Sequence, residues 1–459
     1  MPAAPHLPQW LTPLAAAFLL LATAPAHAQS AGEVEFSRGV GFAQTPGEAP
    51  RTLGKGLPLR QGDRLTTSEG ASAIIKLQDG TRMTVRPNSE LVLQQYQFRE
   101  NASDNGMLMQ LVRGGFRAVT GLISKSSPNA ARVQTSTATI GIRGTDFDAR
   151  LCATRECAQE SSQIQESARP NAVQASAKLT GVQGEIHATD GAGTRRRLVD
   201  GGSVYPGDVV ETARGAQGVL AFRDATRVTL GSQTRFRVDN FVYDDQNAGE
   251  GRFLASVLRG SVRALTGLIA KANNRNVGFS TATATIGIRG TGFDVTCTGP
   301  CAGEPGEPNT GLTLWTWLGS IEVGQAGQTA LQVLQAGQGL FIPATGPMVP
   351  INNEPGTTLP RPDLVTVSDK LFSETDVSDA AEGLFVFVRD GHIEIATLGE
   401  ILHLGRGEAG FAGPGGEALR PTFIPKFLDF DKIPLPTSRN PLLTSILGES
   451  GIRSAQVCK

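Results

Sequence analysis

Thr137-Ala138-Thr139-Ile140-Gly141-Ile142-Arg143-Gly144-Thr145 recurs, residue for residue, as Thr283 through Thr291. Working outward, Thr120-Gly121-Leu122-Ile123 recurs as Thr266-Gly267-Leu268-Ile269 at the same offset of 146 residues. Ungapped comparison of 107–148 with 253–294 gives 22 identities in 42 positions, and the match runs upstream at offset 145 through Gly62-Asp63 and Gly207-Asp208. A fixed offset over that length is the mark of a tandem duplication, so the fold is that of one unit built twice.

Inside a unit the apolar period is two. Ala73, Ile75 and Leu77, then Met83 and Val85, then Leu91 and Leu93 alternate with polar or small residues, and Asp79-Gly80 separates the first two runs. Such runs are short strands buried on one face and joined by tight turns. The second copy has Leu220, Phe222, Val228 and Leu230 at the matching places but Asp224-Ala225 at the turn, where a left-handed conformation is less comfortable, so a different turn is expected there. Strand spacing fits a sandwich or a stacked β-solenoid alike.

A weaker repeat follows. Leu318-Gly319-Ser320-Ile321-Glu322-Val323 leads to Gly337-Gln338-Gly339-Leu340-Phe341, and Asp390-Gly391-His392-Ile393-Glu394-Ile395 leads to Gly407-Glu408-Ala409-Gly410-Phe411. Segments 158–177 and 346–382 have linker composition, and Pro425, Pro434 and Pro436 mark an extended tail. The expected division is 29–157, linker 158–177, 178–302, a β extension at 303–345, linker 346–382, a second β extension with Pro-rich tail at 383–441, and a carboxy-terminal tail at 442–459.

The chain has 459 residues, 42 Lys+Arg against 43 Asp+Glu, and 55 Gly with 27 Pro. The balanced charge argues against nucleic acid or acidic membranes as partners, and the Gly and Pro content against long helices. Residues 1–28 carry no Asp, Glu, Lys or Arg, and Trp10–Ala22 has the length of a signal-peptide apolar core, too short to span a bilayer. Ala26-His27-Ala28 supplies the small residues a signal peptidase accepts, so cleavage between Ala28 and Gln29 is expected, the alternative being an uncleaved anchor. No later stretch is apolar enough to cross a membrane. In an oxidising compartment Cys152 with Cys157 and Cys297 with Cys301 are expected to close small disulfide loops; the competing reading is one four-thiolate zinc site. Cys458 is left over, whether free, paired between chains or incidental.

Candidate chemistry is sparse. Arg143 with Asp146 and Asp148, and Arg289 with Asp294, read first as Arg–Asp pairs locking the last strand and second as a clamp for a carboxylate or phosphate. Trp315 and Trp317, two apart, read as a cap on a unit junction or as a platform for a sugar ring. His392 and His403 alternate with apolar residues and are expected on solvent-facing strand positions. Gly-x-Ser-x-Gly, the P-loop and His-Glu-x-x-His are absent; a polysaccharide-active site built on Asp146, Asp148 and Arg143 is the least favoured reading, and no catalytic residue, cofactor or metal is assigned.

Five motifs in fixed order, Gly62-Asp63, Asp79-Gly80-Thr81, Pro87-Asn88-Ser89, Arg113-Gly114-Gly115-Phe116-Arg117 and Thr139–Thr145, make the chain resemble the FecR domain, the periplasmic module named for iron-citrate signalling. The resemblance covers roughly 33–155 and 178–302 and implies all-β, solenoid- or roll-like domains with a β-rich carboxy-terminal extension, relaying or holding protein contacts in the envelope. Classical members are similar to inner-membrane anti-sigma regulators with a cytoplasmic helical segment and a membrane span before this domain, neither of which is read in this sequence. The expectation is therefore an exported, non-enzymatic regulatory or scaffold protein of the periplasm, surface or secreted placement being the variants. Its expected partner is an envelope protein such as an outer-membrane receptor or transducer, and the alternative is peptidoglycan or another glycan.

Overall fold

The computed structural model describes residues 30–126, 130–307, 309–343 and 346–429. The signal segment with its Ala28–Gln29 junction, Pro434, Pro436 and Cys458 lie outside the described residues. Within them the chain is all-β, and the two halves of the duplication adopt the same plan. In the second unit, one set of strands runs Ala177–Gln183, Gln217–Phe222, Arg227–Leu230, Arg252–Leu265, Gly292–Cys297, Gly311–Leu318 and Gln338–Pro343 across one sheet. The other runs Arg195–Leu198, Ile186–Thr189, Val209–Thr212, Arg235–Val242, the first half of Arg252–Leu265, Val277–Ser280, Ala284–Ile288, Ser320–Gln325 and Leu331–Gln335. Alternating side chains of both sets meet in one core that includes Leu179, Phe222, Phe236, Phe253, Phe279, Phe293, Leu314 and Val323. Pairing is antiparallel except where Val277–Ser280 and, in the first unit, Ala131–Gln134 lie parallel to the long strand, so each unit is a roll of hairpins rather than a coil of parallel rungs.

Why the turns and the Thr-Gly-Leu-Ile motif sit together is visible in the hydrogen bonds. Thr81 donates from N and Oγ1 to the buried Asp79 carboxylate at 3.2 and 2.8 Å, and Leu122 N donates to the Asp79 carbonyl at 2.9 Å. A Cβ on Gly121 would stand 2.1 Å from that carbonyl, and one on Gly267 would stand 2.0 Å from the Asp224 carbonyl, which fixes glycine in the motif. The expected change of turn at Asp224-Ala225 does not occur. Ala225 takes the same left-handed conformation as Gly80, φ 64° against 85°, because Thr226 bonds the Asp224 carboxylate at 3.0 and 2.9 Å as its counterpart does.

Both local cysteine pairs are disulfides, Cys152–Cys157 and Cys297–Cys301.

Each unit owns one of the two carboxy-terminal extensions, and they are distributed unevenly along the chain. Gly311–Leu318 follows directly and pairs with Gly292–Cys297 of the second unit. The corresponding strand of the first unit, Gly383–Ala396, returns from beyond the second unit to pair with Thr139–Cys152 along almost its whole length, from Thr139 opposite Ala396 to Cys152 opposite Gly383. The second unit is thus inserted between two paired strands of the first. Leu384, Phe385, Val386, Val388, Ile393 and Ile395 of the returning strand are fully buried. Burying such side chains contributes about 1.5–3 kcal/mol each, together comparable with the whole stability of a domain at about 5–15 kcal/mol. A chain ending at residue 382 is therefore expected to keep 177–351 folded while 30–152 becomes open to protease. Limited proteolysis with mass spectrometry of the fragments checks this, and equal resistance of both segments would contradict it.

Candidate interaction surfaces

The sequence-predicted charged residues are held by partners on other strands. Asp146 does not pair with Arg143; it receives a bidentate bond from Arg117, 3.0 Å from Nε and 2.9 Å from Nη2. Asp148 is wholly buried and takes Arg389 Nε at 2.7 Å, while burial raises its pKa against the pull of Arg389, Arg86 and Arg117. Arg143 reaches Glu394 on the returning strand at 3.5 Å, and Arg289 pairs with Glu322, the equivalent residue of the second unit. An arginine bonded across strands is what locks these edges, and its carboxylate comes from the extension rather than from its own strand.

The second unit differs on the same face. Gly292 stands where Asp146 stands in the first, and the Trp317 ring fills the space, a Cβ on Gly292 falling 2.3 Å from it. Trp317 Nε1 donates to Asp294 at 3.2 Å, and the ring lies between Arg263 and Arg361, whose guanidinium carbons are 5.5 and 4.7 Å from its centroid. Burial raises the Asp294 pKa to about 6, with Arg263 and Trp317 opposing. Trp315 is only 6% exposed. The segment after residue 351 crosses this face through Glu354–Arg263, Thr229 to the Pro360 carbonyl at 3.1 Å and Arg227 to the Val365 carbonyl at 3.0 Å. Trp317 therefore carries Arg361 of the connector on its ring, and Trp315 is buried, so the pair does not form an open two-ring platform for a sugar.

Sequence reasoning missed the junction between the units. Lys178, on the first strand of the second unit, places Nζ 2.9 Å from Glu408 of the first unit, and Arg420 Nε lies 3.0 Å from the same carboxylate oxygen. All three side chains are buried. Burial drives the Lys178 pKa down to about 8; burial also pushes Glu408 upward, but Lys178 and Arg420 outweigh it and hold the carboxylate below its usual range. Alongside, Tyr205 Oη accepts from Arg406 N at 2.8 Å, and Gly201 abuts His403 so closely that a Cβ would fall 2.0 Å from the ring. His392 and His403 are not solvent-facing. Their rings stack at 5.4 Å and 27°, and both nitrogens of His392 and Nδ1 of His403 are buried without a hydrogen-bond partner. Beside them a cleft of about 390 Å³ is lined by Arg143, Glu394, Ile401 and His403 from one unit and Arg197 and Asp200 from the other. The only signal for this junction in the sequence was a pair of histidines on apolar strands far from their partner lysine.

One element points outward identically in both units. In Thr-Gly-Leu-Ile-x-Lys, Ile123 and Ile269 are buried, whereas Leu122 and Leu268 are 55% and 43% exposed and Lys125 and Lys271 are exposed beside them. The buried Asp79 and Asp224 turns brace each copy from below.

Each unit is thus an all-β roll that fixes its charges in cross-strand pairs and turns the same short apolar element outward. Residues 63–174 and 208–302 match the family described as FecR protein, and the chain carries two FecR domains in tandem. The family is one of regulation and signal transduction. No curated protein matches the sequence. Two crystal structures of a candidate anti-sigma factor from Parabacteroides distasonis, at 2.50 and 1.65 Å, are similar at 16% identity and a TM-score of 0.24. The match covers 31% of this chain and 59% of that one, so it spans little more than half the length of that protein. Among the described residues no helix is long and apolar enough to cross a membrane, and no group of three or more His, Cys, Asp or Glu could hold a metal.

Proposed function

We propose that this is an exported, non-enzymatic regulatory or scaffold protein of the cell envelope, acting in the periplasm by binding another envelope protein through its FecR domains. The observation that carries this reading is the repeated knob: the same leucine and lysine, Leu122 with Lys125 and Leu268 with Lys271, stand outward on the same braced turn in each unit. Isolated exposed leucines are ordinary, but one retained at the same place in both copies, above a glycine that permits no side chain, is suited to a contact made twice. The fitting partner offers two apolar pockets edged with carboxylates. The disulfides agree with an oxidising compartment.

The test is crosslinking in intact cells with a carboxy-terminal tag and mass spectrometry of what co-purifies, comparing wild type with Leu122→Asp, Leu268→Asp and the double variant. Both positions are exposed, so the melting temperature is expected to stay within the range of ordinary surface changes. One dominant envelope protein is expected with wild type, reduced about tenfold or more by either single change and lost with both, because the second contact is made at high effective concentration. Unchanged recovery with the double variant, or glycan fragments with no protein, would overturn the reading.

A further inference from the structure

The internal junction shows what the end of one unit takes: the start of another. The pairing registers give the correspondence between the units. Gly32 opposite Leu77 matches Ala177 opposite Phe222, so Glu33, Gly56 and Pro58 at the start of the first unit correspond to Lys178, Gly201 and Ser203 of the second. At the other end, Glu394 opposite His403 matches Glu322 opposite Val333, and Phe387 opposite Ala409 matches Trp315 opposite Gly339. His403 and Glu408 thus correspond to Val333 and Gln338.

Where the units meet inside the chain, Lys178, Gly201, Ser203 and Glu408 are buried and His403 is packed. Their counterparts are all open: Glu33, Gly56 and Pro58 at one extremity, Val333 and Gln338 at the other, with Val349 exposed beside them. The arginine pair follows the same pattern, Arg143 being 18% exposed in the cleft and Arg289 51% exposed at the free end. Terminal repeats of a stacked array are ordinarily capped by polar side chains, yet this end carries Leu331, Val333 and Val349 at 63%, 44% and 48% exposure. The outer strand Leu331–Gln335 pairs with Ser320–Gln325 on one side, and its other side is an edge.

We propose that copies of this chain associate head to tail, the free end of the second unit in one copy seating on the free start of the first unit in the next. Val333 takes the place of His403 against Gly56, the Gln338 amide donates to Glu33 where Lys178 meets Glu408 internally, and Glu322 faces Lys55, the counterpart of Asp200. Because the buried Lys178–Glu408–Arg420 set is absent from this contact, it is weaker than the internal junction and reversible. The two surfaces differ, so the association is heterologous and extends past two chains as an open series or a ring.

The test is sedimentation velocity of the purified full chain over a concentration series, without any partner. Wild type is expected to grow with concentration beyond two chains. Val333→Asp with Gln338→Glu, which sets a carboxylate against Glu33, blocks the end, and Glu33→Arg with Lys55→Glu, which sets a carboxylate against Glu322, blocks the start; each variant alone is expected to sediment as one chain. An equimolar mixture of the two is expected to give complexes of two chains and no larger, since one open end and one open start remain. A wild type that stays a single chain throughout, growth that survives both blocks, or a closed dimer unaffected by mixing would each overturn the proposal. The readout is independent of Leu122 and Leu268, so its failure leaves the envelope-partner reading standing.

Discussion

Glu408→Ala is expected to be the most damaging single substitution in the chain. It leaves the Lys178 ammonium and the Arg420 guanidinium both fully buried, with the shared carboxylate oxygen that holds them 2.9 and 3.0 Å away removed. Breaking a buried pair by deleting one partner costs about 3–5 kcal/mol, because an uncompensated charge stays behind, and here two do. Backbone carbonyls offset part of this, His403 O accepting from Lys178 at 2.9 Å and from Arg420 at 3.0 Å. Since the residues bridge the units, the expected signature is a split: calorimetry resolves two transitions where wild type gives one, the lower belonging to the first unit. Lys178→Met should be far milder, as Glu408 then keeps Arg420. A Glu408→Ala protein melting within about 1 kcal/mol of wild type would show that the junction is not held this way.

Acidification should act on the same place. Burial, then the neighbouring positive charges of Lys178, Arg143 and Arg420, push the His403 pKa down to about 4, Glu408 alone pulling the other way. Burial, then His403, Lys178 and Arg143, holds His392 well below the ordinary imidazole range. Both rings are therefore neutral in the folded chain at neutral pH. In the unfolded chain each binds a proton near pH 6.5. The unfolded state thus carries more protons below that value, so stability falls as pH drops from about 6.5, and the His403 part of the loss ends only near pH 4, where the folded ring protonates too. At pH 5 the loss from His403 is roughly 2 kcal/mol, at about 1.4 kcal/mol per pH unit, and His392 adds to it in the same direction. Denaturant unfolding at pH 7 and pH 5 measures it. Replacing both rings with Phe keeps the stack and should flatten the profile over that window; a variant as acid-sensitive as wild type would place the effect elsewhere. Glu408 adds to stability above the usual carboxylate range, so its loss belongs to the acid end of the curve.

Much of the fold could be read locally. The nine-residue repeat, the period-two runs and the Asp79-Gly80 turn specify two all-β units because each signal lies within a few residues of its partner. The cysteine loops were legible for the same reason. What could not be read was where Gly383–Ala396 goes. Its motif, Gly391 through Ile395, resembles that of Gly319 through Val323, which suggests two extensions in succession, whereas pairing across some 240 residues leaves no local trace. The clue in hindsight is Glu394: it matches Glu322, and each answers an arginine of the nine-residue repeat. Asp146 and Arg143 look paired because they are close in sequence, but the strand is irregular between them, and Arg117 on the neighbouring strand has the better geometry. The left-handed Ala225 defeats the propensity rule because the Asp224–Thr226 bonds were the stronger constraint.

The insertion of one unit into the other also fixes an order of completion. Any chain emerging from a narrow export channel amino end first delivers every strand of the second unit, up to Gln338–Pro343, before the strand that the first unit still lacks. The later half therefore matures first, and the earlier half must wait with the length of Thr139–Cys152 uncovered until the last part of the chain arrives. A molecule delivered in that order passes through an interval in which that strand can be taken by another chain, and a protein that holds unfolded segments would meet it first at its amino-terminal half.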